Sequence, residues 1–167
     1  KNNIADAKAE FEAAESLNAG NPVVSNNLGI VARINGDREK ASELLSKAAG
    51  AGPEVNYNQG IIAIQNGDYA KAVSKMGGEK TVNAGLAKLL NGDTDGAIEA
   101  IDGSANKETA AAYYLKAVAG ARSNNKELMM KNLKLAISKD ASLKEKALND
   151  AEFLSFRADD SFTAALK

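Results

Sequence analysis

The chain has 167 residues, 44% of them hydrophobic and 26% charged, with 21 basic against 22 acidic side chains and a formal net charge of −1. With no cysteine and no histidine, disulfides, thiolate nucleophiles, cysteine-bearing zinc sites and imidazole acid–base chemistry are excluded. No run of one charge sign occurs, so the clustered basic face that nucleic acid or an anionic membrane surface requires is missing, and no stretch approaches the ~18 apolar residues of a membrane span.

In chain order the pattern predicts helices over 3–18, 22–35, 37–50, 53–66, 68–76, 79–91, 93–101, 106–123, 126–139, 142–149, 150–157 and 159–166. Ala, Leu, Lys and Glu fill these segments, and Asn, Gly and Asp separate them. Lys1-Asn2-Asn3 leads into the first amphipathic pattern, which reads as the second helix of a pair whose first helix is missing. Pro22 and Pro53 open the next two first helices, at positions where a missing N–H costs little. Three turns share one motif: Asn35-Gly36-Asp37, Asn66-Gly67-Asp68 and Asn91-Gly92-Asp93. The glycine ends one helix in a left-handed conformation and the aspartate caps the next, so each motif joins two antiparallel helices. Seven residues before each turn glycine stands Gly29, Gly60 or Gly85; five after it stands Ala41, Ala72 or Ala97; four further on stands Leu45, Met76 or Ile101. Small residues let paired helices approach, and the bulky residue fills the space one turn later.

This grammar resembles the tetratricopeptide repeat, whose pattern W-x2-L-G-x2-Y…A-x3-F…P recurs with a period of about 34 residues. Leu28-Gly29, Ala32, Ala41, Leu45 and Pro53 match one copy, and Ala7 to Phe11 supplies the A-x3-F half of an earlier one, with Ala7 a full period ahead of Ala41. The spacing contracts from Ala41 to Ala72 and again from Ala72 to Ala97, and a fourth unit places Tyr113, Tyr114 and Leu115 on one helix and Met129 to Leu133 on the next. The resemblance covers about residues 4–140 and implies an all-α solenoid of antiparallel pairs with right-handed stacking. The chain then reads as a single domain over 1–167, with units near 3–21, 22–52, 53–77, 78–103 and 106–140 and capping helices over 141–167. The pairs cut short by Gly77-Gly78 and Asp102-Gly103 should bend or tighten the stack. In texture the chain also resembles repeat regions of envelope-associated tetratricopeptide proteins of Gram-negative bacteria, which implies a bacterial cell-envelope location.

The family resemblance implies a function in protein–protein interaction. First helices of this family line a concave groove, and here that groove would present Asn27, Ile30, Arg33, Tyr57, Asn58, Ile61, Asn83, Leu86 and Tyr114 to a partner polypeptide. Asn27, Asn58 and Asn83 each precede the small residue by two positions. Some relatives carry a ladder of asparagines there, whose amides pair with the N–H and C=O groups of a bound peptide whatever its sequence. The Lys and Asn pattern that clamps a chaperone carboxylate is not matched, since Asn26, Ile30, Tyr57 and Ile61 stand at those places.

The alternative functions are a structural spacer between flanking domains and a calcium-binding helical protein. For calcium the case is residues 91–102, where oxygen ligands alternate around Gly96 as in an EF-hand loop. Against it, the first ligand is Asn91, the last is Asp102 rather than glutamate, and the repeat grammar already accounts for Gly-Asp-x-x-x-Ala. Asp159-Asp160 reads as a helix cap and Met129-Met130 as core filling. No nucleotide-binding glycine loop occurs. Catalytic residues, metal ligands and cofactors are therefore not expected, and the expected partner is a protein or peptide.

Overall fold

A computed structural model describes residues 3–166. Among these residues the protein is all-helical, with no strand. Its α-helices are α1 (Ile4–Leu17), α2 (Pro22–Ile34), α3 (Arg38–Lys47), α4 (Pro53–Gln65), α5 (Tyr69–Met76), α6 (Val82–Leu90), α7 (Thr94–Asp102), α8 (Ala110–Arg122), α9 (Lys126–Lys139), α10 (Leu143–Asn149) and α11 (Asp160–Ala165), with a 3-10 helix at Ala151–Phe156 between the last two.

The turn chemistry forms as the sequence dictates. Gly36, Gly67 and Gly92 take φ of 83°, 77° and 91°, a region in which a Cβ would be strained. After each, the aspartate N–H reaches back five residues to a helix carbonyl, as in Asp37 to Ala32 at 2.9 Å. The same aspartates then cap the next helix: Asp37 accepts from the Lys40 N–H at 3.0 Å, Asp68 from Lys71 at 3.1 Å and Asp93 from Gly96 at 2.9 Å. A fourth turn, Ser123-Asn124-Asn125, does the same work without glycine. Asn124 adopts φ 53°, and Asn125 caps α9 through the Leu128 N–H at 2.9 Å.

Pair packing follows from the small residues. A Cβ on Gly29 would lie 2.9 Å from Leu45 Cγ, one on Gly60 2.3 Å from Met76 Cε, and one on Gly85 2.4 Å from Ile101 Cγ1. The facing alanines Ala41, Ala72 and Ala97 are fully buried. In the α8–α9 pair the sizes trade places. Met129 occupies the alanine position four residues after the cap, and Gly120 opposite it leaves the room, since a Cβ there would meet the Met129 backbone nitrogen at 2.5 Å.

The chain divides into two compact units, residues 1–76 and 77–167, at the Gly77-Gly78 step. The first holds α1 to α5 around Ala41, Leu45 and Ile62, with Val55, Ala72 and Met76 also buried. The second holds α6 to α11 around a larger core of Leu89, Tyr114, Val118, Met129, Leu133, Phe153 and Phe162. Its tail does more than close an end. Phe153 packs edge-on against Tyr114 and beside Phe162, each at 5.8 Å between ring centroids. Arg122 grips Glu152 through Nε and Nη2 and donates from Nη1 to the Leu89 carbonyl.

Helix bounds differ from the sequence pattern by more than one residue at three places, and one segment differs in helix type. Helix α6 starts at Val82 because Thr81 caps it through the Ala84 N–H, and α8 starts at Ala110 because Thr109 caps it through Ala112. Helix α3 ends at Lys47, before Gly50 turns the chain at φ 86°. Residues 151–156 form a 3-10 helix, not an α-helix. A period of three residues brings Phe153 and Phe156 onto one side, where both are buried.

Candidate functional site

Helical geometry puts Val23, Asn27, Ile30 and Ile34 on one narrow stripe of α2, at spacings of four, three and four residues. Asn27 and Ile30 are half-buried, while Val23 is 60% and Ile34 51% exposed. On α4 the equivalent positions hold Glu54, Asn58, Ile61 and Gln65, with Tyr57 alongside; Tyr57, Asn58 and Ile61 are half-buried. Of the nine residues expected on the groove, Asn27, Ile30, Arg33, Tyr57, Asn58 and Ile61 therefore belong to the first unit, on two helices that touch.

The asparagines of this face are joined to each other. Asn58 Nδ2 donates to Asn26 Oδ1 at 3.0 Å, and Asn26 Nδ2 donates to Asn27 Oδ1 at 3.4 Å. Asn26 is only 6% exposed, so the link runs from α4 through a buried amide to the half-buried Asn27. Asn26 is the member that spacing alone missed. Its place one residue from the expected ladder gave no signal of burial, which comes only from the approach of α4. Arg33 is half-buried, and its Nε is enclosed with no hydrogen-bond partner.

Asn83, Leu86 and Tyr114 belong to the second unit. Asn83 and Leu86 are half-buried, and Asn83 has an interaction of its own. Tyr114 corrects the sequence expectation. It is 5% exposed, and its hydroxyl donates to Asp150 Oδ2 at 2.7 Å. It is a core residue, not a groove residue, because the tail folds back over α8 and covers its ring. Burial, aided by the Asp150 carboxylate beside it, holds the phenol above the usual tyrosine range.

Two clefts lie along the second helices of the first unit, away from the predicted groove residues. One of about 310 Å³ sits among α3, α4 and α5, floored by Leu45, Ile62 and Ala63 and edged by Ser42, Lys71 and Lys75. The other, about 580 Å³, sits among α1, α2 and α3, floored by Leu28, Val31 and Leu44 and edged by Lys8, Glu12 and Lys40. The same repeat positions line both: Lys8 corresponds to Ser42, Glu12 to Ser46, Val31 to Ile62 and Lys40 to Lys71. The signal that locates them is the repeat register itself.

The residues of the supposed calcium loop do not form a loop. Thr94–Asp102 is one continuous helix, and Asp93 directs its carboxylate to the Gly96 N–H. Ligands at alternate positions of a helix point in different directions, and among the described residues no cluster of acidic side chains is arranged to hold a metal. No helix among them is long and apolar enough to cross a membrane. No protein-family model matches the chain, and no curated protein matches it.

Proposed function

We propose that this protein is a tetratricopeptide-like helical repeat module that binds a segment of another protein, and that it binds rather than catalyses. The observation that carries the reading is the α2 stripe. Val23 and Ile34 stand more than half exposed on the same face as Ile30 and Asn27, where burial would be worth ~25 cal/mol per Å² of apolar surface. Ile61 and Tyr57 of the contacting helix α4 extend that apolar character beside Asn58. An extended or helical peptide would place apolar anchors on the isoleucines and direct backbone groups to the free valences of the Asn27 amide. In the solenoid reading this face is the concave groove.

The test is selection of displayed peptides against the folded chain, followed by titration of the selected peptide onto Val23→Lys/Ile34→Lys. These positions are surface sites, so the double variant should melt like the parent, within ~0.5 kcal/mol per site. Peptide affinity should fall at least tenfold. Binding unchanged by the double substitution would remove this face from consideration, and failure to select any peptide would favour the spacer function.

A further inference from the structure

We infer that the cleft among α3, α4 and α5 is a binding site for a small organic anion with an apolar body, a carboxylate and an N–H or O–H donor beside it. Its volume of about 310 Å³ falls at the lower end of the ~300–1,000 Å³ of ligand pockets. The floor is apolar, with Leu45 and Ile62 at most 4% exposed. Its wall carries an acceptor that is not satisfied. Gln59 donates from Nε2 to the Leu45 carbonyl at 2.8 Å, which fixes the orientation of its amide. Its Oε1 is enclosed and has no hydrogen-bond partner. A buried acceptor without a donor is destabilising, and a ligand N–H or O–H would supply the donor. Lys71 and Lys75 stand on the rim, one turn apart on α5, and neither is in an ion pair among the described residues. Asp68, the one carboxylate among the described residues lining the cleft, accepts the Lys71 N–H as a helix cap.

The other cleft of the first unit shows that the repeat does not require these groups. Repeat register places Leu28 where Gln59 stands, Leu44 where Lys75 stands and Glu15 where Ala49 stands, and all six line their clefts. The fold therefore accepts leucine at both polar positions. Relative to its counterpart, the cleft among α3, α4 and α5 gains a hydrogen-bonding amide, gains a cation and lacks an acid. All three differences favour a ligand that brings negative charge and a donor. The two ammonium groups would take the carboxylate as point charges, the apolar body would cover Leu45 and Ile62, and the donor would meet Gln59 Oε1. None of the residues lining this cleft belongs to the Val23–Ile34 stripe or to its extension on α4, so the inference stands apart from peptide binding there.

The probe is N-acetyl-leucine, which carries an isobutyl group, a carboxylate and an amide N–H next to it. Titrated into the isotope-labelled chain and followed by NMR, it should shift the Gln59 side-chain amide signals and the backbone amides of α5. Two relatives of the probe each lack one feature: N-acetyl-leucinamide has no charge, and isocaproate has no N–H. Each should bind about fivefold more weakly. Lys75→Leu, which installs the residue of the other cleft, should weaken N-acetyl-leucine about fivefold and leave N-acetyl-leucinamide unchanged. Lys71→Ala, at an exposed position, should give the same split and carries the test if Lys75→Leu melts early. No shift at Gln59 or α5, equal binding of the three compounds, or an affinity unmoved by both lysine variants would overturn the inference. So would a peptide ending in leucine that binds more than about tenfold tighter than N-acetyl-leucine, since the cleft would then take a partner's chain end rather than a small molecule.

Discussion

At the residue scale, two substitutions separate roles that look alike in sequence. Asn27 and Asn58 occupy the same repeat position, but Asn58 supplies the donor to the buried Asn26 carbonyl oxygen. Asn58→Ala should therefore cost ~1–3 kcal/mol by leaving that acceptor unsatisfied. Asn27→Ala removes the acceptor of the longer, 3.4 Å bond from the buried Asn26 Nδ2, so it should cost less, ~0.5–1 kcal/mol, while weakening peptide binding. Equal stability losses in chemical denaturation would count against this division. The contact glycines divide in the same way. At Gly60 an added methyl meets the flexible end of Met76, whereas at Gly120 it meets the Met129 backbone nitrogen and, at 2.9 Å, its Cα. Gly60→Ala should be close to neutral, since Met76 can turn aside and alanine favours the helix by up to ~1 kcal/mol. Gly120→Ala should destabilise by ~1–3 kcal/mol because backbone cannot move as cheaply. Urea denaturation of both variants decides it.

At the scale of elements, the junction of α8 with the tail is sensitive to alkali. The Tyr114 phenol is held above its ordinary range, first by burial and then by its bond to Asp150. Its folded pKa thus exceeds the unfolded value near ~10. The stabilisation from neutral Tyr114 is complete below that pH and drains away as pH rises past it. Tyr114→Phe should cost ~0.5–1.5 kcal/mol at neutral pH through the lost hydrogen bond, and its deficit against the parent should shrink above pH ~10. A constant deficit across that range would argue that Tyr114 does not titrate with unfolding. Helix α7 makes a second prediction. Because Asp93 caps it and the residues after it are helical, millimolar calcium should leave the melting temperature where it was. A rise through mass action on the folded state, abolished by Asp93→Ala/Asp95→Ala, would restore the calcium alternative.

At the scale of the whole molecule, stability should be unevenly distributed between the two units. The second unit buries Phe153, Phe156, Phe162 and Tyr114; the first buries no aromatic side chain among its described residues, with Phe11, Tyr57 and Tyr69 only half covered. Aromatic burial contributes the largest single apolar areas of a core. Amide exchange should accordingly be fastest in α1, intermediate in α2 to α5 and slowest in α8 and α9. Unfolding should show two transitions, the first belonging to residues 3–76. One transition with uniform protection from α1 to α9 would mean that the Gly77-Gly78 step does not separate cooperative units.

What the sequence determined by itself is what local chemistry determines. The three Asn-Gly-Asp turns, the asparagine and aspartate caps, the antiparallel pairs and the contact glycines all depend on groups no farther apart in the chain than Gly29 is from Leu45. Glycine at a positive φ, a carboxylate on a free N–H and a missing Cβ act over a few ångströms, so spacing alone reveals them. The tertiary structure decided what distance in the chain conceals. Tyr114 meets Asp150 across 36 residues, and Arg122 meets Glu152 across 30; no periodicity encodes that return of the tail, so Tyr114 read as a groove residue. Asn26 and Asn27 are neighbours with the same side chain, and only the approach of α4 across 32 residues makes one a buried link and leaves the other half-exposed. The short residues 151–156 carry too weak a local preference to choose between helix types, and the burial of Phe153 and Phe156 on one side chose the tighter one.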